Sequence, residues 1–312
     1  MERLRDLSLI PEAARGASVA IGNFDGVHLG HQAVIDLARR DDMPLGILTF
    51  EPHPRTYFAE LKGKEASAFR LMNADARANR LEKLGVDVLY EVPFSTDLSD
   101  LTPEAFVTEM IHEGVGAKHV VVGRDFCFGK DRAGNAVSLK SLCATHGIEV
   151  TVADMIATGQ TEVSSTNIRK ALTEGRPRDA HAMLGHWHRL EGPVLHGDAR
   201  GRELGYPTAN MALPDLHRPA FGVYAVLVDV LDGPHAGSYH GAASIGVRPT
   251  FGDNIPNCET FLFDFKGDLY GATLSVGLVD YLRGEEKFDG LDALITQMDA
   301  DVAQARAILT QL

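Results

Sequence analysis

Gly22-Asn23-Phe24-Asp25-Gly26-Val27-His28-Leu29-Gly30-His31 joins a short apolar run, 18–21, to a helical pattern over 32–40. This order predicts a strand, a tight turn and a helix. The three glycines permit backbone angles and close approaches that a side chain would block. The first N–H groups and the positive dipole end of the helix face such a turn, so the segment predicts an anion-binding site.

Two histidines stand at the start of this helix. His28 and His31 are three residues apart, so both can face one ligand. Their imidazoles could donate hydrogen bonds to phosphate oxygens. A hydrogen-bonded pair with only a structural role is the alternative interpretation.

Composition limits the classes of partner. The formal net charge of -13 argues against a general nucleic-acid or membrane-surface binder, so a phosphate site must be locally basic. The three cysteines are far apart with no C-x-x-C spacing, which argues against disulfides or zinc and fits a reducing cytoplasm. No run approaches the ~18 apolar residues of a membrane span.

Strand-like and helix-like patterns alternate over the first 180 residues or so. This alternation predicts an α/β domain, 1–183, with a parallel sheet covered on both faces. The remainder, 184–312, has strand patterns separated by glycine and proline turns and then a terminal helical pattern. It predicts a small antiparallel β-barrel with a terminal helix.

Ligands of parallel sheets bind at the carboxyl ends of the strands, so the loops there are informative. Segment 51–55 contains two prolines and predicts a stiff, extended loop. Segment 123–134 mixes glycines, aromatics and three cations, which suits a nucleotide. Segment 163–169 predicts a hydroxyl-capped helix start with an arginine, a second phosphate-binding arrangement. Ordinary surface loops and a plain N-cap are the alternatives, and 60–69 is a candidate flap.

Two common nucleotide motifs are absent. The sequence has no G-x-x-x-x-G-K-[ST], which excludes a P-loop protein, and no G-x-G-x-x-G, which argues against a dinucleotide cofactor.

The second half has its own candidates for chemistry. In segment 197–210, Thr208 and Asn210 point the same way if the chain is extended, and their oxygens suit Mg²⁺. A turn leading into a strand is the alternative. Glu259 shares a strand face with aromatic residues, so it is either a paired structural carboxylate or a base.

The segments 22–31, 49–54, 121–134 and 164–169 together resemble the nucleotidylyltransferase domain of bacterial bifunctional riboflavin kinase/FAD synthetases. The resemblance implies a Rossmann-like domain that transfers AMP from ATP to FMN and releases pyrophosphate. It implies that His28, His31 and Arg169 stabilise phosphate charge, together with Mg²⁺. It implies nucleotide or flavin contacts for Gly22, Asn23, Phe24, Asp25, Asp125, Ser165 and Thr166, with Arg132 a weaker candidate.

The later segments 201–210, 245–251 and 269–271, with Glu259, resemble the riboflavin kinase domain of the same family. This resemblance implies a six-stranded barrel that makes FMN from riboflavin and ATP. It implies that Thr208 and Asn210 bind Mg²⁺ and ATP, and that Glu259 acts as general base on the riboflavin 5′-hydroxyl. Further ATP or flavin contacts are implied for Gly201, Arg202, Gly205, Pro207 and Arg248.

Mild departures from the family pattern affect details of nucleotide contact. Arg77 stands where a lysine is expected, Cys127 where an arginine is expected, and Thr260-Phe261 where valine-histidine is usual.

Two other functions compete with this interpretation. One is a different adenylyl- or cytidylyltransferase whose barrel only recognises a ligand. The other is a flavin-binding storage or regulatory protein without catalysis. A Mg²⁺ site and a base in the barrel argue against the first. The polar residues of both candidate sites argue against the second. Buried polar groups cost stability, so a protein without catalysis would be expected to lose them first.

Overall fold

The computed structural model of the chain describes residues 1–65, 67–154, 157–158, 161–196, 205–213, 215–247 and 256–312. The chain divides into two compact units, which are Met1–Ser67 with Arg77–Val163, and Ala68–Ala76 with Ser164–Leu312. No helix among these described residues is long and apolar enough to cross a membrane.

The first unit contains a six-stranded sheet in which every pairing is parallel. Its strands are Glu2–Leu4 (β1), Ser18–Ile21 (β2), Leu45–Glu51 (β3), Val88–Pro93 (β4), His119–Gly123 (β5) and Glu149–Ala153 (β6). The strand order is β1-β4-β3-β2-β5-β6. The central strand β2 is buried along its whole length, as expected where helices cover both faces. The predicted α/β class is confirmed.

The described helices agree with the sequence pattern after the Gly22–His31 turn, after Ser164 and near the end of the chain. They are Leu29–Leu37 (α1), Pro54–Leu61 (α2), Ala74–Lys83 (α3), Thr96–Ser99 (α4), Pro103–Ala105 (α5), Ala136–Thr145 (α6), Ser165–Thr173 (α7), Pro177–Leu184 (α8) and Leu291–Leu309 (α9). A π-helix, Phe106–Val115, continues directly from α5.

One local prediction was wrong. Segment 51–55 is not extended throughout, because α2 begins at Pro54. The His53 side chain accepts a hydrogen bond from the Arg55 N–H at 3.0 Å and caps the helix. Proline at the first helical position costs no hydrogen bond and has a helical φ.

The second unit contains a six-stranded antiparallel barrel. Its strands are His188–Pro193 (β7), Ala209–Ala212 (β8), Gly222–Val230 (β9), Gly237–Val247 (β10), Pro256–Leu262 (β11) and Thr273–Arg283 (β12). The order is β7-β12-β9-β10-β11-β8. A bridge between Leu195 and Asn210, with the Leu195 N–H 2.8 Å from the Asn210 carbonyl oxygen, links the two ends. The predicted barrel with its terminal helix is confirmed.

Apolar side chains fill the barrel and also hold the terminal helix. Leu190, Val226 and Leu278 are among the fully buried residues inside it. Ala305 and Leu309 of α9 pack with Val279 in a second cluster. Removal of this apolar surface from water stabilises the unit by roughly 25 cal/mol per Å².

Candidate functional site

The turn that begins at Gly22 lies where the strand order of the first sheet reverses. β2 pairs with β3 on one side and with β5 on the other, so the chain crosses the sheet around β2. A parallel sheet opens a crevice at the carboxyl ends of the strands at this point. The Gly22–His31 turn follows β2, and the loop that contains Asp125 follows β5.

Non-glycine residues occupy left-handed backbone positions in the turn. Phe24 has φ 51° and Val27 has φ 42°. This conformation is strained for L-residues. Both side chains are fully buried, and the core contacts offset the strain. The Asn23 carbonyl oxygen accepts hydrogen bonds from the Thr49 hydroxyl at 3.3 Å and from Arg77 at 3.2 Å. Asp25 is buried as well.

His28 is the N-cap of α1. Its Nδ1 accepts a hydrogen bond from the backbone N–H of His31 at 3.2 Å. A neutral imidazole that accepts at Nδ1 carries its proton on Nε2, so Nε2 is a donor. Gly30 makes room for this ring, since a Cβ at that position would lie 3.1 Å from two of its atoms.

His31 is the second histidine of the turn. Desolvation, and then the nearby His28, hold the pKa of His31 well below its usual value. The imidazole is therefore neutral at pH 7. Its Nδ1 is a buried nitrogen with no hydrogen-bond partner among the described residues. A buried nitrogen without a hydrogen-bond partner costs free energy. A polar ligand that binds at this turn would supply the partner.

The loop after β5 is held by the residues around α5. Phe128 packs against Phe106 with ring centroids 5.3 Å apart, and the Lys130 N–H donates to the Leu101 carbonyl oxygen at 2.7 Å. A Cβ on Gly123 would lie 3.0 Å from a carboxylate oxygen of Asp125, so the carboxylate folds back over the end of β5.

Two further residues of this loop differ in exposure, since Arg132 is exposed and Cys127 is half-buried. Arg132 is exposed, with a left-handed φ of 57°. The Cys127 thiol lies 3.6 Å from the Asp125 carbonyl oxygen. Within the predicted flap 60–69, Phe69 is buried, and Ala66 lies outside the described residues.

Ser165, Thr166 and Arg169 belong to the second compact unit, whereas His28 and His31 belong to the first. Ser164 caps α7 by accepting from the Asn167 N–H at 3.3 Å, so the hydroxyl cap that the sequence predicts is Ser164 and not Ser165 or Thr166.

Arg169 makes contacts within the second unit. Its guanidinium donates to the Phe69 carbonyl oxygen at 3.4 Å and to the Thr166 hydroxyl at 3.5 Å. The guanidinium carbon also lies 5.9 Å from the centre of the Phe69 ring.

The barrel brings together two of its predicted residues. β8 and β11 are antiparallel neighbours, and Asn210 lies directly opposite Glu259. The Glu259 side chain is 9% exposed, and its carboxylate accepts from the Asn257 amide at 2.9 Å. The Asn210 amide donates to the Thr208 carbonyl oxygen at 3.3 Å. Asn210, Asn257 and Glu259 therefore lie on one patch of the barrel, which Thr208 joins through its backbone carbonyl.

The described part of segment 197–210 is anchored by the terminal helix. The hydroxyl of Tyr206 donates to Asp299 of α9, and its ring packs edge-on against Phe261. Gly205 has φ 83°, which favours glycine there. Pro207 is exposed. The predicted contacts Gly201, Arg202 and Arg248 lie outside the described residues.

Three residues next to these sites were not predicted from the sequence. Arg77 binds the turn, Asn257 binds Glu259, and Asp299 binds Tyr206. Arg77 stood out in the sequence because a lysine is expected at its position. Asn257 is two residues from Glu259 on one strand, which places both on the same face.

Comparison with known proteins gives two family matches and several long relatives. The FAD synthetase family matches residues 10–167, and the riboflavin kinase family matches residues 184–309. A bifunctional riboflavin kinase/FMN adenylyltransferase of Listeria monocytogenes is 38% identical over 300 residues, which cover 94% of this chain and 93% of the relative. One of Pseudomonas fluorescens is 40% identical over 313 residues, which cover 99% of this chain and 98% of the relative.

A solved structure is similar over nearly the whole length. The crystal structure of a protein described as a macrolide-efflux protein from Streptococcus pneumoniae aligns with a TM-score of 0.79 and 33% identity. The alignment covers 96% of each chain, so both domains of that structure have counterparts here.

Proposed function

The chain belongs to the bifunctional riboflavin kinase/FMN adenylyltransferase family, and on that premise we propose which of its residues carry each reaction. The enzyme phosphorylates riboflavin to FMN with ATP. It then transfers AMP from a second ATP to FMN, which gives FAD and pyrophosphate. We propose that the two activities divide at residues 1–183 for AMP transfer and 184–312 for the kinase. The family matches to 10–167 and 184–309 support this division.

AMP transfer is assigned to the turn between β2 and α1. An FMN phosphate oxygen attacks the α-phosphorus of ATP, and the bond from that phosphorus to the β-phosphate oxygen breaks. No proton has to move, so positioning and charge stabilisation suffice. His28 donates from Nε2 to a phosphate oxygen, and His31 supplies a second imidazole beside it. The stacked histidine pair at the start of α1 is the observation that carries this proposal.

The remaining predicted contacts complete the assignment for AMP transfer. Gly22, Asn23, Phe24 and Asp25 form the turn, and Asp125 follows the neighbouring strand β5. For Arg169, with Ser165 and Thr166 at the start of α7, we propose binding of ATP phosphate oxygens. An arginine near a helix N-terminus is suited to that role.

Phosphorylation of riboflavin is assigned to the patch around Glu259. The Glu259 carboxylate accepts the proton of the riboflavin 5′-hydroxyl while the hydroxyl oxygen attacks the γ-phosphorus, and ADP leaves. The Asn257 amide fixes one carboxylate oxygen. Gly201, Arg202, Gly205, Pro207 and Arg248 are proposed to bind ATP or riboflavin.

The oxygen donors of this patch fit Mg²⁺. Thr208 and Asn210 offer a hydroxyl and an amide oxygen, and Mg²⁺ takes few protein oxygens and keeps several waters. They would hold the ion together with the phosphates of ATP. When bound, it neutralises charge on the transferred phosphoryl group. Among the described residues no group of three or more His, Cys, Asp and Glu side chains could hold a metal ion.

We also propose a cytoplasmic location. Cys127, Cys143 and Cys258 are all free thiols, which is typical of proteins in a reducing compartment.

A time course tests both assignments. The purified full-length chain receives riboflavin, ATP and Mg²⁺, and the flavins are separated. The parent should form FMN first and FAD later. His28→Ala should accumulate FMN without FAD. Glu259→Gln should leave riboflavin unchanged but convert supplied FMN to FAD. The exposed His240 serves as control, and His240→Ala should behave as the parent.

Two results would remove these assignments. Near-normal FAD formation by a folded His28→Ala protein would exclude the turn as the transfer site. Retained FMN formation by Glu259→Gln would exclude that carboxylate as the base.

A further inference from the structure

Arg77 is a fully buried cation beside the Gly22–His31 turn. It lies on α3 with 1% of its surface exposed. One guanidinium nitrogen, Nη1, donates to the Asn23 carbonyl oxygen at 3.2 Å. The other, Nη2, donates to carboxylate oxygens of Glu51 at 3.1 Å and of Glu91 at 3.0 Å. One side chain therefore contacts the turn after β2 and the neighbouring strands β3 and β4.

The charge of Arg77 is balanced by a buried acid that has other partners. Glu91 is 1% exposed and also binds Arg3 and Arg5, each at 3.0 Å. Burial alone would raise the pKa of Glu91, but the hydrogen bonds and charges of Arg77 and Arg3 outweigh it and lower that pKa. Glu91 is thus a carboxylate shared among three arginines, and it does not depend on Arg77 alone for compensation.

The hydrogen bond from Arg77 to the Asn23 carbonyl oxygen holds the turn next to its strained residue, Phe24. The Asn23 carbonyl oxygen receives Arg77 on one side and the Thr49 hydroxyl at 3.3 Å on the other. The next residue, Phe24, has the left-handed φ of 51°. Two donors on this carbonyl hold the Asn23–Phe24 peptide in one orientation. Because His28 follows only four residues after Phe24, this orientation affects where the imidazole lies. A displacement of about 1 Å at reacting groups can cost roughly a hundredfold in rate.

From these contacts we propose that Arg77 is a positioning residue for AMP transfer, which acts on the reaction through the Asn23 carbonyl. The proposal rests on the assignment of AMP transfer to this turn. Arg77 contacts no substrate in this role. The two terminal nitrogens of the planar guanidinium reach four oxygens, those of Asn23, Glu51 and Glu91 and, at 3.5 Å, the Phe50 carbonyl. A lysine offers one nitrogen on a flexible stem.

The test measures AMP transfer and riboflavin phosphorylation in the same full-length protein. Arg77→Met removes every hydrogen bond of the guanidinium, Arg77→Lys keeps the charge, and Thr49→Val removes the other donor to Asn23. Arg77→Met should fold, since Glu91 keeps Arg3 and Arg5. The half-exposed Arg39, which pairs with Asp36, provides the control variant Arg39→Gln.

We expect kcat of AMP transfer to fall about a hundredfold in Arg77→Met, and about tenfold in Arg77→Lys and Thr49→Val. KM for riboflavin and kcat of the kinase should stay at parent values, as should both activities of Arg39→Gln. Hydrogen exchange of the β3 and β4 amides should remain protected in the variants, which separates positioning from loss of the fold.

Two results would overturn the role of Arg77. One is AMP transfer within about twofold of the parent in Arg77→Met. The other is loss of amide protection in that variant together with parental transfer in Thr49→Val. His28→Ala in the same assay separates this proposal from the assignment of the site. If His28→Ala is active, the turn is not the site; if it is inactive and Arg77→Met is not impaired, only the role of Arg77 is wrong.

Discussion

The imidazole rings of His28 and His31 stack with their centroids 3.6 Å apart and their planes 13° apart. The same pair shares a hydrogen bond, from the His31 backbone N–H to His28 Nδ1 at 3.2 Å. The two ring nitrogens of His28 therefore have separable roles, one observed and one proposed. Its Nδ1 caps the helix, and its Nε2 is the donor proposed to bind a phosphate oxygen.

Substitutions that keep one nitrogen at a time should separate these functions. In His28→Asn the short amide can replace the Nδ1 cap, since asparagine is a good N-cap. In His28→Gln the longer amide places an N–H donor near the position of Nε2. We expect His28→Asn to lose roughly a hundredfold in kcat of AMP transfer, as for removal of a single preorganised donor, and His28→Gln to lose about tenfold.

Steady-state formation of FAD from FMN and ATP measures this order, with kinase activity as the internal control. The reverse order, with His28→Asn the more active variant, would mean that capping and not donation explains the need for His28.

The second prediction concerns Asn257, which is 1% exposed and donates to Glu259 at 2.9 Å. Without this donor the carboxylate can turn away from the riboflavin hydroxyl. Asn257→Ala should lower kcat of riboflavin phosphorylation by about tenfold, since a misoriented base loses part of the roughly 10²–10⁴-fold that general base catalysis supplies.

FAD formation from supplied FMN should be unchanged in Asn257→Ala, which controls for folding of the rest of the chain. Parental kinase activity in this variant would show that the Asn257 amide does not orient the base.

The fold class was predictable because it depends on local patterns. Apolar runs such as 18–21 and 119–122 followed by helical patterns determine a parallel α/β sheet, and alternating strands with glycine turns determine the barrel. A hydroxyl cap at the start of α7 was predictable for the same reason, since Ser, Thr and Asn preferences at helix starts are local, but the sequence left Ser164, Ser165 and Thr166 as alternatives. Helix α8 was not predicted, although Pro177 and Gly185 mark its two ends and four of its eight residues are buried.

The partners of the site residues were not predictable. Arg77 lies in the segment Ala-Asp-Ala-Arg-Ala-Asn-Arg, whose charges resemble a solvated helix face. Its burial depends on Glu91 and Asn23, which are 14 and 54 residues away. Asp299 and Tyr206 are 93 residues apart. Such contacts depend on packing between distant parts of the chain. Secondary-structure propensity and the spacing of residues in the sequence carry no information about that packing.

The third prediction is a pH dependence of stability that arises from His188. This residue of β7 is 2% exposed, and desolvation, then the nearby His217 and His186, lower its pKa to about 3. The unfolded chain binds a proton at His188 below about pH 6.5, but the folded chain does not until near pH 3. The stability that the neutral imidazole provides is therefore complete above pH 6.5 and is lost as the pH falls toward 3.

Denaturant titrations at several pH values should reveal this slope. Trp187 is the single tryptophan of the chain and lies in the second unit, so its fluorescence reports on that unit. Between pH 6 and pH 4, the free energy of unfolding should fall by about 1.4 kcal/mol per pH unit more in the parent than in His188→Gln. Equal slopes in the two proteins would contradict the prediction, and His240→Gln should retain the parental slope.

The last prediction compares a buried ion pair with an exposed one, both made by α9. Asp301 is 5% exposed and binds Arg283 of β12 through two guanidinium nitrogens, with the shortest distance 2.8 Å, and it also accepts from Gln297 at 2.9 Å. Asp264 binds Arg306 at 2.8 Å, but its side chain is 79% exposed.

Loss of one charge from a buried pair leaves the other charge without compensation, whereas water replaces the lost partner of an exposed charge. Asp301→Asn should therefore lower the free energy of unfolding of the second unit by roughly 3 kcal/mol, and Asp264→Asn should cause no measurable change. Trp187 fluorescence in denaturant titrations measures both variants, and similar effects in the two would mean that burial of Asp301 does not set its contribution.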